Sequence, residues 1–192
     1  MVVPFYDPDL DPDPAWLPVD ELKRFDMLLV DARWPAGATR VLTAAKSAGV
    51  PAVFDADISP AGVLESLAPL ASHVVFSESA LCAFANRAEV DESLRAAAAR
   101  LPGFVGVTLG ARGFRWHEQG VIHSLPAPEV AVVDTLSAGD VFHGAFALAL
   151  AEHQTLADAG RFACAAASLK CIRFGGRAAT PTRQEVEALL HS

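Results

Sequence analysis

VVDTLSAGDVFHGAF, residues 132–146, decides how the rest of the chain is read. An apolar, strand-like run closes on Asp134, a short Thr-Leu-Ser-Ala-Gly turn follows, and Asp140 opens a small-residue, apolar helix. Gly139 lets the backbone bend tightly at that junction. A helix beginning there presents unpaired N–H groups and the positive end of its dipole. The amides of Ser137, Ala138 and Gly139 are therefore placed to hold developing negative charge. Asp140 is placed to take a proton from a hydroxyl held beside it. Base and anion hole together are what phosphoryl transfer to an alcohol needs. Read in isolation, the same residues also describe a plain helix start, with Asp140 as an N-terminal carboxylate and Ser137 as the cap.

Outward from this stretch, strand and helix patterns alternate. MLLVDA (27–32), PAVFDAD (51–57), HVVFS (73–77) and FVGVTLG (104–110) are short apolar runs that read as buried strands. Helical spacing is predicted over 35–49, 60–70, 78–87 and 91–100. GFRWHEQGVIHSL (113–125) alternates and reads as an antiparallel hairpin turning at Gly120, and EVAVVD (129–134) reads as a further strand. Helices are predicted again over 139–152, 155–173 and 182–191. Such alternation predicts one α/β layer structure with a mostly parallel sheet. Ligands of such sheets collect at the carboxyl ends of the strands. Asp31, Asp55, Asp57, Ser77, Glu78, the 108–113 turn and the 134–140 turn all fall there.

Composition narrows the function classes. The 192 residues suit one domain, and 52% hydrophobic content supports a substantial core. A net charge of −8 argues against a nucleic-acid partner, which needs a basic face. It leaves a phosphate ligand open, because helix N-termini hold phosphate without net positive charge. Cys82, Cys164 and Cys171 form neither a disulfide framework nor a zinc pattern, and read as small buried hydrophobes of a cytoplasmic protein. The six histidines show no ligand spacing. No apolar run approaches membrane-spanning length, so no membrane partner is expected.

DTLSAGD closely matches the DTxGAGD signature and resembles that of the PfkB, or ribokinase, family of carbohydrate kinases. Asp134, Thr135, Ala138, Gly139 and Asp140 fall in place, and Ser137 stands where glycine is usual. The resemblance implies a ribokinase-like three-layer αβα fold, Asp140 as the base and the turn before it as the anion hole. VTLGARGFRW (107–116) looks like the family's TLGxxG segment, which implies nucleotide contacts at Thr108, Gly110 and Gly113. The stretch from Cys164 through Ser168 to Gly175 and Gly176 resembles the helix and loop that flank the nucleotide. With Asp134, carbonyls of the 171–180 loop imply a monovalent-cation site for K⁺. Lys170, Arg173 and Arg177 read equally as solvated surface charges. The run LKCIRFGGRAATPTR (169–183) is similar to the sulfofructose kinase branch, and ketohexokinase-like members share the next departure. The family's NxxE motif is degraded to Ser77-Glu78-Ser79-Ala80, which weakens any metal role for Glu78.

The resemblance runs over the whole chain but over only the later part of the family. It implies a C-terminal nucleotide-binding and catalytic portion, with the lid and first strands missing. Residues 1–24 then read as the end of a lid strand and its return loop, and a homodimer would form through the missing lid. The expected activity is ATP-dependent phosphorylation of a hydroxyl on a sugar or sugar-derived substrate, with Mg²⁺ accompanying ATP. The alternative is a nucleotide-binding remnant of such a kinase without catalysis.

Overall fold

The structure is a computed structural model that describes residues 12–191. Among the described residues six strands form one sheet in the order β1-β2-β3-β4-β5-β6: Leu28–Asp31, Ala52–Ala56, His73–Ser77, Phe104–Thr108, Phe114–Glu118 and Val121–Leu125. The first three pairings are parallel and the last two antiparallel. Among the described residues α-helices run over Pro35–Ala48 (α1), Val63–Leu67 (α2), Glu78–Ala85 (α3), Val90–Arg100 (α4), Ala138–Ala151 (α5), Leu156–Cys171 (α6) and Arg183–Leu190 (α7). Every predicted helix is present within a few residues.

The period-two pattern of the strands decides the layers. Phe54, Val74 and Phe76 face α1 to α4, where Leu42, Leu67, Leu81 and Leu94 close one core. Their neighbours Val53 and Val75 face the opposite way, with Phe114 and Trp116, onto Phe142, Phe146, Phe162 and Ala163 of α5 and α6. The result is the three-layer αβα arrangement expected, with a mostly parallel sheet. Local chemistry agrees at the helix starts. Thr155 accepts from the Asp158 N–H to begin α6, and Thr182 with Glu185 forms a capping box on α7. The hairpin turns on Gln119 and Gly120, both at positive φ (49° and 83°), as the right-handed twist of paired strands requires.

Two expectations change. EVAVVD is not a strand: 129–134 has no ladder partner, and the Val133 and Asp134 N–H groups both donate to the Cys171 carbonyl at the end of α6 (2.8 and 3.1 Å). The hairpin occupies one sheet edge, and this segment instead runs beside the end of α6 to the start of α5, leaving Val132 and Val133 exposed. The predicted 60–70 helix is a short α2 followed by a tighter turn over Ala68–Leu70, because Pro69 cannot supply the next backbone donor. Near the start, 3₁₀ turns run over Pro14–Trp16 and Val19–Arg24. Val2 and Val3, read as the end of a strand, lie outside the described residues.

Candidate active site

The loop after β4 and the start of α5 meet at one cleft of about 560 Å³. Thr108, Gly110 and Gly113 line one wall, Cys164 and Ser168 another, and Ala138 and Gly139 the floor. Five of the seven residues expected to hold nucleotide therefore share one cavity. The glycine turn is self-bonded: Leu109 N–H donates to Gly113 O (2.8 Å) and Gly113 N–H to Gly110 O (2.9 Å). Gly113 sits at φ +88°, ψ −135°, against the chain at Leu125 to Ala127, so only glycine fits there. Ser168 Oγ donates to the Pro128 carbonyl (3.1 Å) and ties α6 to the segment that forms the far wall. Burial pushes the Cys164 thiol up to about 12, so it lines the cleft as an uncharged, apolar group.

Gly175 and Gly176 do not reach this cavity. They belong to the loop after α6, where Gly175 N–H donates to Asp134 Oδ2 (2.9 Å) while Leu136 N–H donates to Asp134 Oδ1 (2.9 Å). These two bonds, with the Lys170 ammonium beside them, hold the Asp134 carboxyl below its ordinary range. Lys170 is fully buried, correcting its reading as a surface charge. Its Nζ donates to the Asp134 carbonyl (2.8 Å) and stands 3.5 Å from Asp134 Oδ2. An ammonium thus already meets the carboxylate where a monovalent cation was expected. Arg173 pairs with Glu185 instead.

Ser137 adopts φ +61°, ψ +16°, the left-handed conformation, and caps α5 without any side-chain hydrogen bond. Glycine takes this conformation without a Cβ penalty, which matches the glycine usual at this position in the DTxGAGD signature. Ala138 N–H is already donated to Thr135 O (3.1 Å). Of the three amides expected to form the anion hole, Ser137 and Gly139 remain, and Asp140 adds its own: none of these three has a hydrogen-bond acceptor among the described residues. Asp140 is exposed and lines a second cavity of about 400 Å³ with Ser137, Arg177 and Thr180. The first turn of α5 therefore lies between the two cavities: Ala138 and Gly139 line the first, Ser137 and Asp140 the second.

Sequence reasoning missed what fixes this turn to the sheet. His143 is buried, and its Nδ1 donates to the Gly139 carbonyl (2.8 Å) with Asp55 Oδ2 at 3.3 Å. Its Nε2 lies 3.2 Å from the Val75 carbonyl oxygen. Burial raises the Asp55 carboxyl, His143 opposes that rise, and Asp57, Asp140 and Asp31 add to it. An acid at a strand end and a histidine one turn into a helix were each legible, but nothing in the sequence joined them. Glu78 is ion-paired to Arg112 of the glycine turn, and Ser77 Oγ donates to Asp57 Oδ1 (2.8 Å). Among the described residues no group of three acids, histidines or cysteines is arranged to hold a metal. No helix among the described residues is long and apolar enough to cross a membrane.

Comparison with known proteins agrees with this fold. A family model described as pfkB family carbohydrate kinase matches residues 6–183. The ribokinase of Bacillus subtilis is 44% identical over 94 residues, which cover 49% of this chain and 32% of that protein. A solved protein from Agrobacterium tumefaciens superposes with a TM-score of 0.94 at 43% identity, over 100% of this chain and 63% of that one. The Arabidopsis thaliana ribokinase solved with ribose and ATP gives 0.78 at 28% identity, over 91% of this chain and 58% of that one. The chain thus spans less than two thirds of each relative. With its three-layer fold, its DTLSAGD turn and a family match across nearly its whole length, this chain belongs to the pfkB family of carbohydrate kinases.

Proposed function

We propose that this chain carries the nucleotide-binding and phosphoryl-transfer machinery of an ATP-dependent sugar kinase. The observation that carries the reading is the first turn of α5, which leaves the Ser137, Gly139 and Asp140 amides without an acceptor among the described residues and lies between the glycine-walled cleft and the cavity that Asp140 lines. ATP lies in the cleft against Thr108, Gly110 and Gly113, with Cys164 and Ser168 on the α6 side. The sugar hydroxyl approaches Asp140. As its oxygen bonds to the γ-phosphorus and the bond to the β–γ bridging oxygen breaks, its proton passes to the carboxylate. The free amides meet the charge spread over the transferring phosphoryl oxygens. Mg²⁺, when bound with ATP, neutralises the phosphates. Gly175 and Gly176 act one step back, by holding Asp134 and the DTLSAGD turn.

The relatives' names favour ribose or a similar pentose over the sulfofructose- and ketohexokinase-like branch. The run at 169–183 that suggested the latter lies around the Asp134 loop, and its Arg177 and Thr180 line the cavity beside Asp140. A cytoplasmic location and a homodimer formed through a lid belong to the same reading.

The test is ADP release by the chain across a panel of pentoses and ketoses, for the native protein and Asp140→Asn. The native protein turns over with a pentose. The variant loses about 10²- to 10⁴-fold in rate while ADP affinity by calorimetry stays within about twofold. Near-native turnover in Asp140→Asn removes the base assignment. Nucleotide binding by the native chain without turnover on any sugar favours the non-catalytic alternative.

A further inference from the structure

Lys170 is the described lysine whose side chain has no access to solvent. A buried ammonium is retained only where opposite charge and hydrogen-bond acceptors meet it. Both are supplied by one residue, Asp134, through its carbonyl at 2.8 Å and its carboxylate at 3.5 Å. The same carboxylate reaches on to the Gly175 amide, and the Cys171 carbonyl receives the Val133 and Asp134 amides. The ammonium therefore sits at the junction of three segments: the end of α6, the loop after it and the strand-like entry to the DTLSAGD turn.

That junction is where the resemblance implied a monovalent cation, and the residues present do not fit one. A second positive charge within a few ångströms of a buried ammonium meets strong repulsion. It would also compete for the oxygens of Asp134 that the ammonium already uses. The ammonium does by covalent attachment what a bound ion would do by coordination: it neutralises Asp134 and draws the carbonyl of the turn toward the α6 loop.

We infer that Lys170 is a built-in cation of this site, and that nucleotide binding by this chain is independent of K⁺. The inference deepens the kinase reading at the same site, and its test has a readout that does not need turnover. The native chain, Lys170→Ala and Lys170→Met are compared in KCl and in choline chloride at equal ionic strength. ADP affinity is measured by calorimetry and thermal unfolding is followed without nucleotide. The native chain is expected to give the same affinity and the same unfolding temperature in both salts. Lys170→Ala, which opens room at Asp134, is expected to bind ADP about tenfold more weakly in choline and to recover in KCl or NH₄Cl. Lys170→Met keeps the packing without the charge, and is expected to be weakened in both salts.

K⁺-dependent affinity or unfolding in the native chain overturns the inference, whether or not the variants fold. Lys170→Ala that behaves alike in both salts also overturns it, because the junction then has no cation role to inherit. If no adenine nucleotide binds at all, the kinase reading fails on that result. The salt dependence of unfolding still decides the role of Lys170.

Discussion

The two glycines of the 108–113 turn make opposite predictions from the same motif. At Gly113 an added methyl would collide with the Leu125 carbonyl oxygen and come within 2.7 Å of the Ala127 nitrogen. Neither can yield cheaply, because Leu125 is paired in register with Phe114 at the root of the hairpin. Backbone strain at φ +88°, ψ −135° costs a non-glycine residue about 1–3 kcal/mol, and forcing the overlap costs a further 1–3 kcal/mol or so. Gly113→Ala is therefore expected to lose about 2–6 kcal/mol, lowering the unfolding temperature by about 5–20 °C for a chain of this size. Gly110 has φ +58° and nothing within 4 Å of the place an added methyl would occupy, so Gly110→Ala carries only the left-handed backbone penalty, about 1 kcal/mol. Differential scanning calorimetry or urea unfolding of the two variants measures the difference. ADP calorimetry on Gly113→Ala should also show weakened binding, since Ala127 and Pro128 form the facing wall of the cleft. If the two variants unfold within a degree or two of each other, the close approach of the turn to residues 125–127 is wrong.

Two other outcomes follow from the same geometry. Ser137→Gly relieves a left-handed serine that makes no capping bond, and is expected to gain up to about 1 kcal/mol, seen as a rise of about 2–4 °C in unfolding temperature; a loss of stability would mean that the serine side chain has a role the backbone does not reveal. Cys164, held near 12 by burial, stays a thiol at pH 8 and resists alkylation under native conditions, whereas the half-buried Cys82 reacts first. Peptide mapping after brief iodoacetamide treatment distinguishes them, and early labelling of Cys164 would contradict its burial.

Much of the fold was legible because its signals are local. Apolar runs ending in acids marked β1 and β2, the closing glycine marked the end of α1, and alternation around Gly120 marked the hairpin. The residues that share the cleft were legible for a similar reason: each motif carries its own turn chemistry, and Thr108, Gly110 and Gly113 needed only to be in order. The valines of 129–134 misled because alternation describes a residue pattern, while a strand also needs a neighbour. Here the segment's amides go to Cys171 and its valines to solvent.

What the sequence determined by itself was the order of elements and the DTLSAGD turn that carries the family resemblance, both of which depend on residues adjacent along the chain. What tertiary structure decided was how distant segments share a charge or a hydrogen bond. Only packing could bury Lys170 against Asp134, thirty-six positions away in sequence, and turn an apparent surface lysine into the counter-charge of the turn. Packing alone also set His143 between Gly139, Asp55 and Val75, and so fixed the first turn of α5 to the sheet. Burial of a polar group is a property of its surroundings, and those surroundings come from three or more elements at once.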